Sequence, residues 1–431
     1  MDSTKGTAVA RLCDDLMVDI LSRLPVKDLR RSTCVSKPWR DLVTDPLHRK
    51  KLPQTLEGFF HGGAGERHSY GHFTSLSGRG ESAPPVDPSF SFLTAKLPWV
   101  ERMDLLDSCN GLLLFGCTTE NKFGYIVCNP ATEELVTIPA SSGSCPPPSL
   151  TPLEDKTIAV CDGDIYAHTY LMFDPIVSSR FHLVQFWQDR STCEVKKVHS
   201  YSSETRAWSD TSNKWEPGEE RCGWGVLRGR GEAIIEFTRG RALVDGLLLY
   251  IEAVLLFMRG RALVNGLLHF VAYHFEEGEN LIVAVDGEGT ICRIICPPVK
   301  HVDANAFIGQ SQGHLHCIST NLISQYFNYH FTQLSIWVLE DYDTQEWILK
   351  HNVSFPQLFG SPSCPIDNHD IVVIHPDHNS IILVQHWNQK LVSYDMDSKE
   401  HRVLCTLGEG YRSITPYVPY FMESPVLATK D

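Results

Sequence analysis

The chain has 431 residues, of which 42% are hydrophobic and 21% charged, with a net charge of −14. That composition excludes a disordered or fibrous chain and suggests about two to three globular domains. The charge is uneven: the first 52 residues carry 11 Lys and Arg against 7 Asp and Glu, leaving −18 for the remainder. An acidic body argues against nucleic acid as the principal partner.

Residues 1–15 contain no apolar core of signal-peptide length. The longest apolar run, Ala242 to Met258, is broken by Asp245 and Glu252 and is a poor membrane span. No membrane partner is expected, and the expected compartment is the cytoplasm, the nucleus or both. The 14 cysteines are scattered without a CxxC pair, which reads as buried free thiols in a reducing compartment. Cys292 and Cys296 share one face of a strand-like run. In such a compartment the sequon Asn352-Val353-Ser354 carries no meaning.

Leu12 to Leu52 is the most informative stretch. Asp14 and Asp15 stand where an N-cap and a first-turn anion belong. Leu16, Ile20 and Leu24 follow at helical spacing, with Met17 and Leu21 beside them, and Pro25 stops the helix. A second short helix begins near Asp28 and carries Leu29 and Val35. Ser36 caps a third, in which Pro38 is tolerated in the first turn and Trp39, Leu42 and Val43 form the apolar stripe. Asp45-Pro46 ends it. Three short helices bury little apolar surface alone, and their apolar residues occupy more than one face. Two readings follow from the pattern: a helical cap docked on the rest of the chain, or a surface meant for another protein.

The stretch resembles an F-box, closest to those of plants. The match runs through Leu12, Asp14-Asp15-Leu16, Ile20-Leu21, Arg23-Leu24-Pro25-Val26-Lys27, Leu29, Cys34-Val35-Ser36-Lys37, Trp39-Arg40, Leu42 and Asp45-Pro46. It departs at Cys13, where the family usually has proline. The resemblance implies docking on the Skp adaptor, and through it on the cullin, of an SCF ubiquitin ligase. Carried over by position, the adaptor-binding residues are Leu12, Leu16, Ile20, Leu21, Leu24, Pro25, Leu29, Val35 and Trp39. The F-box is expected over residues 8–52.

Residues 53–96 read as a linker or irregular first strands, since Gly58 to Pro88 is rich in Gly, Ser, His and Pro. From Leu97 to residue 425 the pattern is short apolar runs broken by turn residues. Five hairpin units stand out: Tyr125 to Pro139, Val198 to Trp208, Leu281 to Cys296, Ile336 to Ile348 and Leu391 to Leu404. Gly-led strands start at Gly111, Gly266 and Gly313. Hairpins about 50 to 80 residues apart predict radially repeated antiparallel sheets, a β-propeller of six or seven blades, with a β-sandwich as the alternative. The units CNPATEELVTIP and YSSETRAWSD resemble the plant F-box associated domain, a kelch-like propeller. The fold expected is therefore α+β: a small three-helix F-box followed by an all-β domain.

One repeat is of another kind. Phe237 to Tyr250, FTRGRALVDGLLLY, is echoed by Phe257 to Phe270, FMRGRALVNGLLHF. A 20-residue shift is too short for a blade, so the second copy is expected to hold the native strand position and the first to be surplus.

No residue pattern demands catalysis, a metal or a cofactor. Gly309-Gln-Ser311-Gln-Gly313 matches the nucleophile elbow of hydrolases, but an alternating strand follows where a helix is needed. His314 with His316, and His375 with His378, lack spaced acidic or cysteine partners for a metal. Of the tryptophans at strand ends, Trp215 and Trp224 lie in the polar loop NKWEPGEERCGWG and are the expected substrate-binding residues. Glu216, Glu219 and Glu220 beside them would prefer a basic ligand. The expected role is a non-catalytic substrate receptor of a ubiquitin ligase for a target protein the sequence does not name. A scaffold without ligase activity, or a propeller enzyme, are the alternatives.

Overall fold

The computed structural model describes residues 13–24, 32, 35–44, 56–62, 70–76, 84, 86–120, 122–141, 149–153, 156–161, 165–175, 177–189, 195–211, 260–274, 279–299, 307–325, 328–359, 364–365, 369–408, 411, 414–420 and 426–427. The chain divides into two compact units, Met1–Thr55 and Leu56–Asp431.

In the first unit, α1 spans Asp14–Ser22 and α2 spans Lys37–Thr44. Cys13, not Asp14, takes the N-cap position, with no side-chain hydrogen bond, so both aspartates fall in the first turn. Ser36 opens α2, its Oγ lying 3.4 Å from the Trp39 backbone nitrogen. The expected second helix lies mostly outside the described residues; of its described residues Ser32 is buried and Val35 lies in a turn.

The second unit is a six-bladed β-propeller. Blade 2 comprises Arg102–Cys109, Leu112–Thr119, Lys122–Asn129 and Glu134–Pro139 in antiparallel order. Blade 3 comprises Ile165–Phe173, Phe181–Asp189, Val195–Ser202 and Ala207–Asp210, with an added hairpin, Ser149–Leu153 and Lys156–Cys161, pairing onto the start of its first strand. Blade 4 comprises Arg261–Val264, Leu267–His274, Glu279–Val285 and Ile291–Ile295. Blade 5 comprises Phe307–Ser311, His314–Gln325, Asn328–Asp341 and Glu346–Ser354. Blade 6 comprises His369–Ile374, Ser380–Gln385, Lys390–Asp395 and Glu400–Thr406. Blade 1 is built from both ends of the unit: Ile414–Tyr417 pairs with Gly58–His61, which pairs with His72–Ser75. The segment read as a linker or irregular first strands thus supplies two propeller strands.

Strand alternation explains how the blades stack. Successive side chains point to opposite faces of a sheet, so a strand buried on both faces needs a continuous apolar run. In Leu112-Leu113-Leu114-Phe115, Leu113 and Phe115 pack toward blade 1, while Leu112 and Leu114 pack toward blade 3. In blade 6, Ile381 and Leu383 face blade 5, and Ile382 and Val384 face blade 1. Blades 3 and 4 meet through Val184, Phe186 and Val283, and blades 4 and 5 through Ala262, Ile282 and Ile308. Among the described residues, every gap between successive blades therefore holds its own apolar cluster, including the gap from blade 6 to blade 1. That closure excludes the sandwich.

The Gly-led strands are second strands of blades 2, 4 and 5. Each follows a two-residue turn with both φ positive: Asn110 and Gly111 (46° and 92°), Asn265 and Gly266 (54° and 75°), Gln312 and Gly313 (50° and 79°). Such turns match the twist of the strands they join and favour Asn-Gly.

Candidate functional site

Val18 and Leu21 of α1 are fully buried and form the centre of the first unit, with Leu24, Trp39, Leu42 and Val43 packed around them. Leu16 and Ile20 sit one turn apart on the other side of α1, 52% and 46% exposed, and Val35 is 66% exposed. Residues four apart on a helix are surface neighbours, so Leu16 and Ile20 form one apolar strip. Asp19 beside it is engaged by Arg23, Oδ2 to guanidinium nitrogen 2.7 Å.

The predicted adaptor contacts therefore separate. Leu16, Ile20 and Val35 present apolar surface outward. Leu24 and Trp39 are partly buried and are shared between the unit's own core and its surface. Leu21 is fully enclosed and packs inside the first unit. Leu12, Pro25 and Leu29 lie outside the described residues.

Residues 9–51 match the F-box domain model. The chain carries an F-box domain at its N-terminus. It is similar to the F-box protein At5g07610 of Arabidopsis thaliana, 32% identical over 33% of this chain and 34% of that protein. It is also similar to the F-box protein At1g52495 of the same plant, 23% identical over 88% of this chain and 78% of that protein. The match thus spans about a third of the first of these relatives. Among solved structures, a chain of the nidogen/laminin complex is similar with 8% identity and a TM-score of 0.33, over 84% of this chain and 98% of that one.

In the propeller, Trp215 and Trp224 fall outside the described residues, as does the first copy of the repeat. The second copy forms the first hairpin of blade 4. Four of the other tryptophans are structural. The indole N–H groups of Trp187, Trp208, Trp337 and Trp347 donate to His199 Nδ1 (3.3 Å), the Pro139 carbonyl (2.8 Å), Ser319 Oγ (3.2 Å) and the Cys296 carbonyl (2.8 Å).

Trp387 differs. It is 46% exposed, and its indole has no such bond among the described residues. It sits in the turn between the second and third strands of blade 6, edge-on to Phe359 at 5.3 Å and 88°. Phe359 ends a short helix, α3 (Phe355–Phe359), in the connection from blade 5 to blade 6, and packs on His369 at 5.9 Å. Burial pushes the His369 imidazole down to about 4, despite the Asp370 charge beside it. The same propeller face carries a polar chain: Tyr411 Oη is 2.7 Å from His386 Nδ1, and His386 Nε2 is 3.1 Å from Asp370 Oδ2. Turns between second and third strands and connections between blades share one propeller face, which is why residues from three segments meet here. Proximity in sequence to charged loop residues favoured Trp215 and Trp224; the signal for Trp387 is an aromatic at a turn position that no strand burial requires.

The catalytic and metal motifs resolve into structure. Ser311 is 1% exposed and its hydroxyl donates to the His375 carbonyl at 2.6 Å. A strand, His314–Gln325, follows it, so the serine is not lifted over a parallel sheet. His375 Nδ1 accepts from the backbone nitrogens of Asp377 and His378 at 3.1 and 3.2 Å, which closes the turn. Among the described residues no three metal-ligating side chains cluster, and no helix is long and apolar enough to cross a membrane. The described cysteines are free thiols, but Cys13, Cys292 and Cys296 are exposed rather than buried.

Proposed function

We propose that this protein is the substrate-recognition subunit of an SCF ubiquitin ligase, holding a Skp-type adaptor through its N-terminal helices and a target protein through its propeller. The observation that carries this reading is the outward Leu16–Ile20 strip in a domain matched as an F-box. Each of these half-exposed side chains gains about 1 kcal/mol when a partner covers it. Asp19–Arg23 and the first-turn aspartates frame the strip with polar groups, as expected of an interface rim.

The chemistry is positional. A receptor that binds both adaptor and target raises the target's effective concentration to roughly millimolar near a ubiquitin-loaded enzyme held elsewhere in the complex. No side chain of this chain then has to make or break a bond, which agrees with the buried, hydrogen-bonded state of Ser311.

The test is capture of a purified Skp-type adaptor by the full chain and by Leu16→Asp/Ile20→Asp. Capture by wild type and its loss in the double variant supports the proposal. Equal capture by both forms, or none by either, overturns it and leaves a propeller scaffold without ligase activity.

A further inference from the structure

The repeated segment offers blade 4 two candidates for one place. Arg261 to Phe270 fills that place, and its surroundings set what the place demands. The residue before the hairpin must lack a side chain, since a Cβ on Gly260 would lie 2.5 Å from the Ile308 backbone. Arg261 must reach Asp107 and the Ser108 carbonyl across the ring. Ala262 and Val264 pack toward blade 5 and Leu268 toward blade 3, all three buried. The turn residues Asn265 and Gly266 must both take positive φ, 54° and 75°.

The first copy meets each of these demands. Gly240, Arg241, Ala242, Val244 and Leu248 stand 20 positions before their counterparts, and Asp245-Gly246 suits the same turn as Asn-Gly. The departures are few. Tyr250 stands for Phe270, which adds one hydroxyl to a partly exposed ring packed at 5.2 Å on Phe186. Leu249 stands for His269, which is fully buried with Nε2 against the Tyr342 hydroxyl. Leucine fills the volume and loses that hydrogen bond. Past the hairpin, Glu252 stands for Ala272 and adds a charge. These last two changes make the second copy the better occupant, and by a narrow margin.

Chain connectivity permits either choice. With the first copy in place, the connection from blade 3 shortens by 20 residues and the turn between the second and third strands of blade 4 lengthens by 20. The entropy of closing a loop changes slowly with its length, so this trade costs little.

We propose that the two copies are interchangeable first hairpins of blade 4, the second preferred and the first able to take its place. Two packings of one chain that differ by so few contacts make a two-state element. The two connections that trade length open on one propeller face, so exchange alters what that face presents while the ring stays closed. The inference goes beyond the receptor reading and does not depend on it.

The experiment compares the full-length protein with Arg261→Ala, Arg241→Ala and the double variant by thermal denaturation, and maps the tryptic cleavage sites of each. Arg261→Ala is expected to lower the melting temperature by only a few degrees, because Arg241 replaces the lost partner of Asp107. Arg241→Ala alone leaves it unchanged. The double variant falls by about 10 °C, since the buried Asp107 then has no arginine in either arrangement. Trypsin is expected to cut at Arg259 in Arg261→Ala and not in wild type, because exchange moves the second copy out of the blade. A role for Arg241 confined to its own surroundings would not move that cleavage.

The deciding quantity is the extra loss that Arg241→Ala causes once Arg261 is alanine. The same loss in both backgrounds overturns the proposal, as does resistance of Arg259 to cleavage in Arg261→Ala. An Arg261→Ala chain that fails to fold overturns it too, because the first copy has then not rescued the blade.

Discussion

Arg261, on the first strand of blade 4, ion-pairs with Asp107 on the first strand of blade 2. The same carboxylate accepts the Leu171 backbone N–H of blade 3 at 2.8 Å and the Ser108 N–H at 2.6 Å. The Arg261 guanidinium also reaches the Ser108 carbonyl at 3.1 Å. Asp107 is 2% exposed, so one buried charge ties three blades together. Removing one partner of such a pair strands the other. Asp107→Ala is expected to cost about 3 to 5 kcal/mol, whereas Asp107→Leu/Arg261→Met, which removes both charges, costs much less. Chemical denaturation of the two variants checks this; equal losses would mean that the pair is not coupled.

The N-terminal helices make opposite demands on neighbouring leucines. Leu21→Ala opens a cavity in a unit whose described residues include two enclosed apolar side chains, Val18 and Leu21, and is expected to cost about 2 to 5 kcal/mol, enough to melt the F-box. Leu16→Ala and Ile20→Ala trim half-exposed side chains, leave helix content unchanged, and weaken adaptor capture. Circular dichroism together with binding separates the two effects. Melting by Leu16→Ala would place that side chain in the core.

Much of this architecture was legible locally. The five sequence hairpins are the third and fourth strands of blades 2 to 6, and their spacing is the blade repeat. Asn110-Gly111 and Asn265-Gly266 declare their turns because the backbone there needs two positive φ values. Blade 1 was not legible: its strands have four residues each, and the pairing of Phe60 with Thr415 joins positions far apart in sequence. No local pattern encodes such a partner. In the F-box, periodicity placed Leu16, Ile20 and Leu24 on one stripe with Leu21 beside it, but a helix whose apolar residues span more than one face does not declare which face its neighbours cover. Only packing shows that Leu21 turns inward and Leu16 outward.

The repeated segment invites a deletion. Among the described residues, the second copy supplies the first hairpin of blade 4. A Cβ on Gly260 would lie 2.5 Å from the Ile308 backbone of blade 5, and Arg261, Ala262 and Val264 make the ion pair and the core contacts. Removing residues 237–256 joins Glu236 to Phe257 and keeps all of these. The melting temperature is expected to stay within a few degrees of wild type and adaptor capture to be unchanged. A collapse in expression or stability would show that the first copy is needed.

Three buried histidines set the acid limit of the propeller. Burial pushes His269, His369 and His375 from about 6.5 down to about 4. They are neutral in the folded state, whereas the unfolded chain protonates them below about 6.5. The unfolded state then binds more protons, so stability is fully present above about 6.5 and is lost as the pH falls toward 4. Each contributes at most about 1.4 kcal/mol per pH unit in that window. His269→Leu, which copies Leu249 of the first repeat, is expected to flatten the pH dependence of the melting temperature by one proton's share. It also removes the contact with the Tyr342 hydroxyl, so its stability at neutral pH falls. An unchanged slope would show that His269 does not titrate on unfolding.

Ring closure rests on the last strand. Ile414–Tyr417 lies beside Gly58–His61 and against the first strands of blades 2 and 6. Tyr417 is fully buried, with its ring 5.1 Å from Phe60. Farther on, the Tyr420 carbonyl accepts from Asn129 Nδ2 at 2.8 Å and its side chain fills the core of blades 2 and 3. Gly111 keeps this path open, since a Cβ there would come within 2.2 Å of Tyr420 Cβ. Tyr417→Ala removes a ring from the blade 1 core and is expected to cost about 3 to 5 kcal/mol, leaving a folded but weakened propeller. Ending the chain at residue 413 removes both tyrosines and the strand. It exposes the edge of Gly58–His61 and the apolar faces of blades 2 and 6, a loss larger than the roughly 5 to 15 kcal/mol that keeps a typical domain folded. The truncated chain is expected to aggregate, and a monomeric, cooperatively melting product in size-exclusion and calorimetric measurements would show that the ring holds without its clasp.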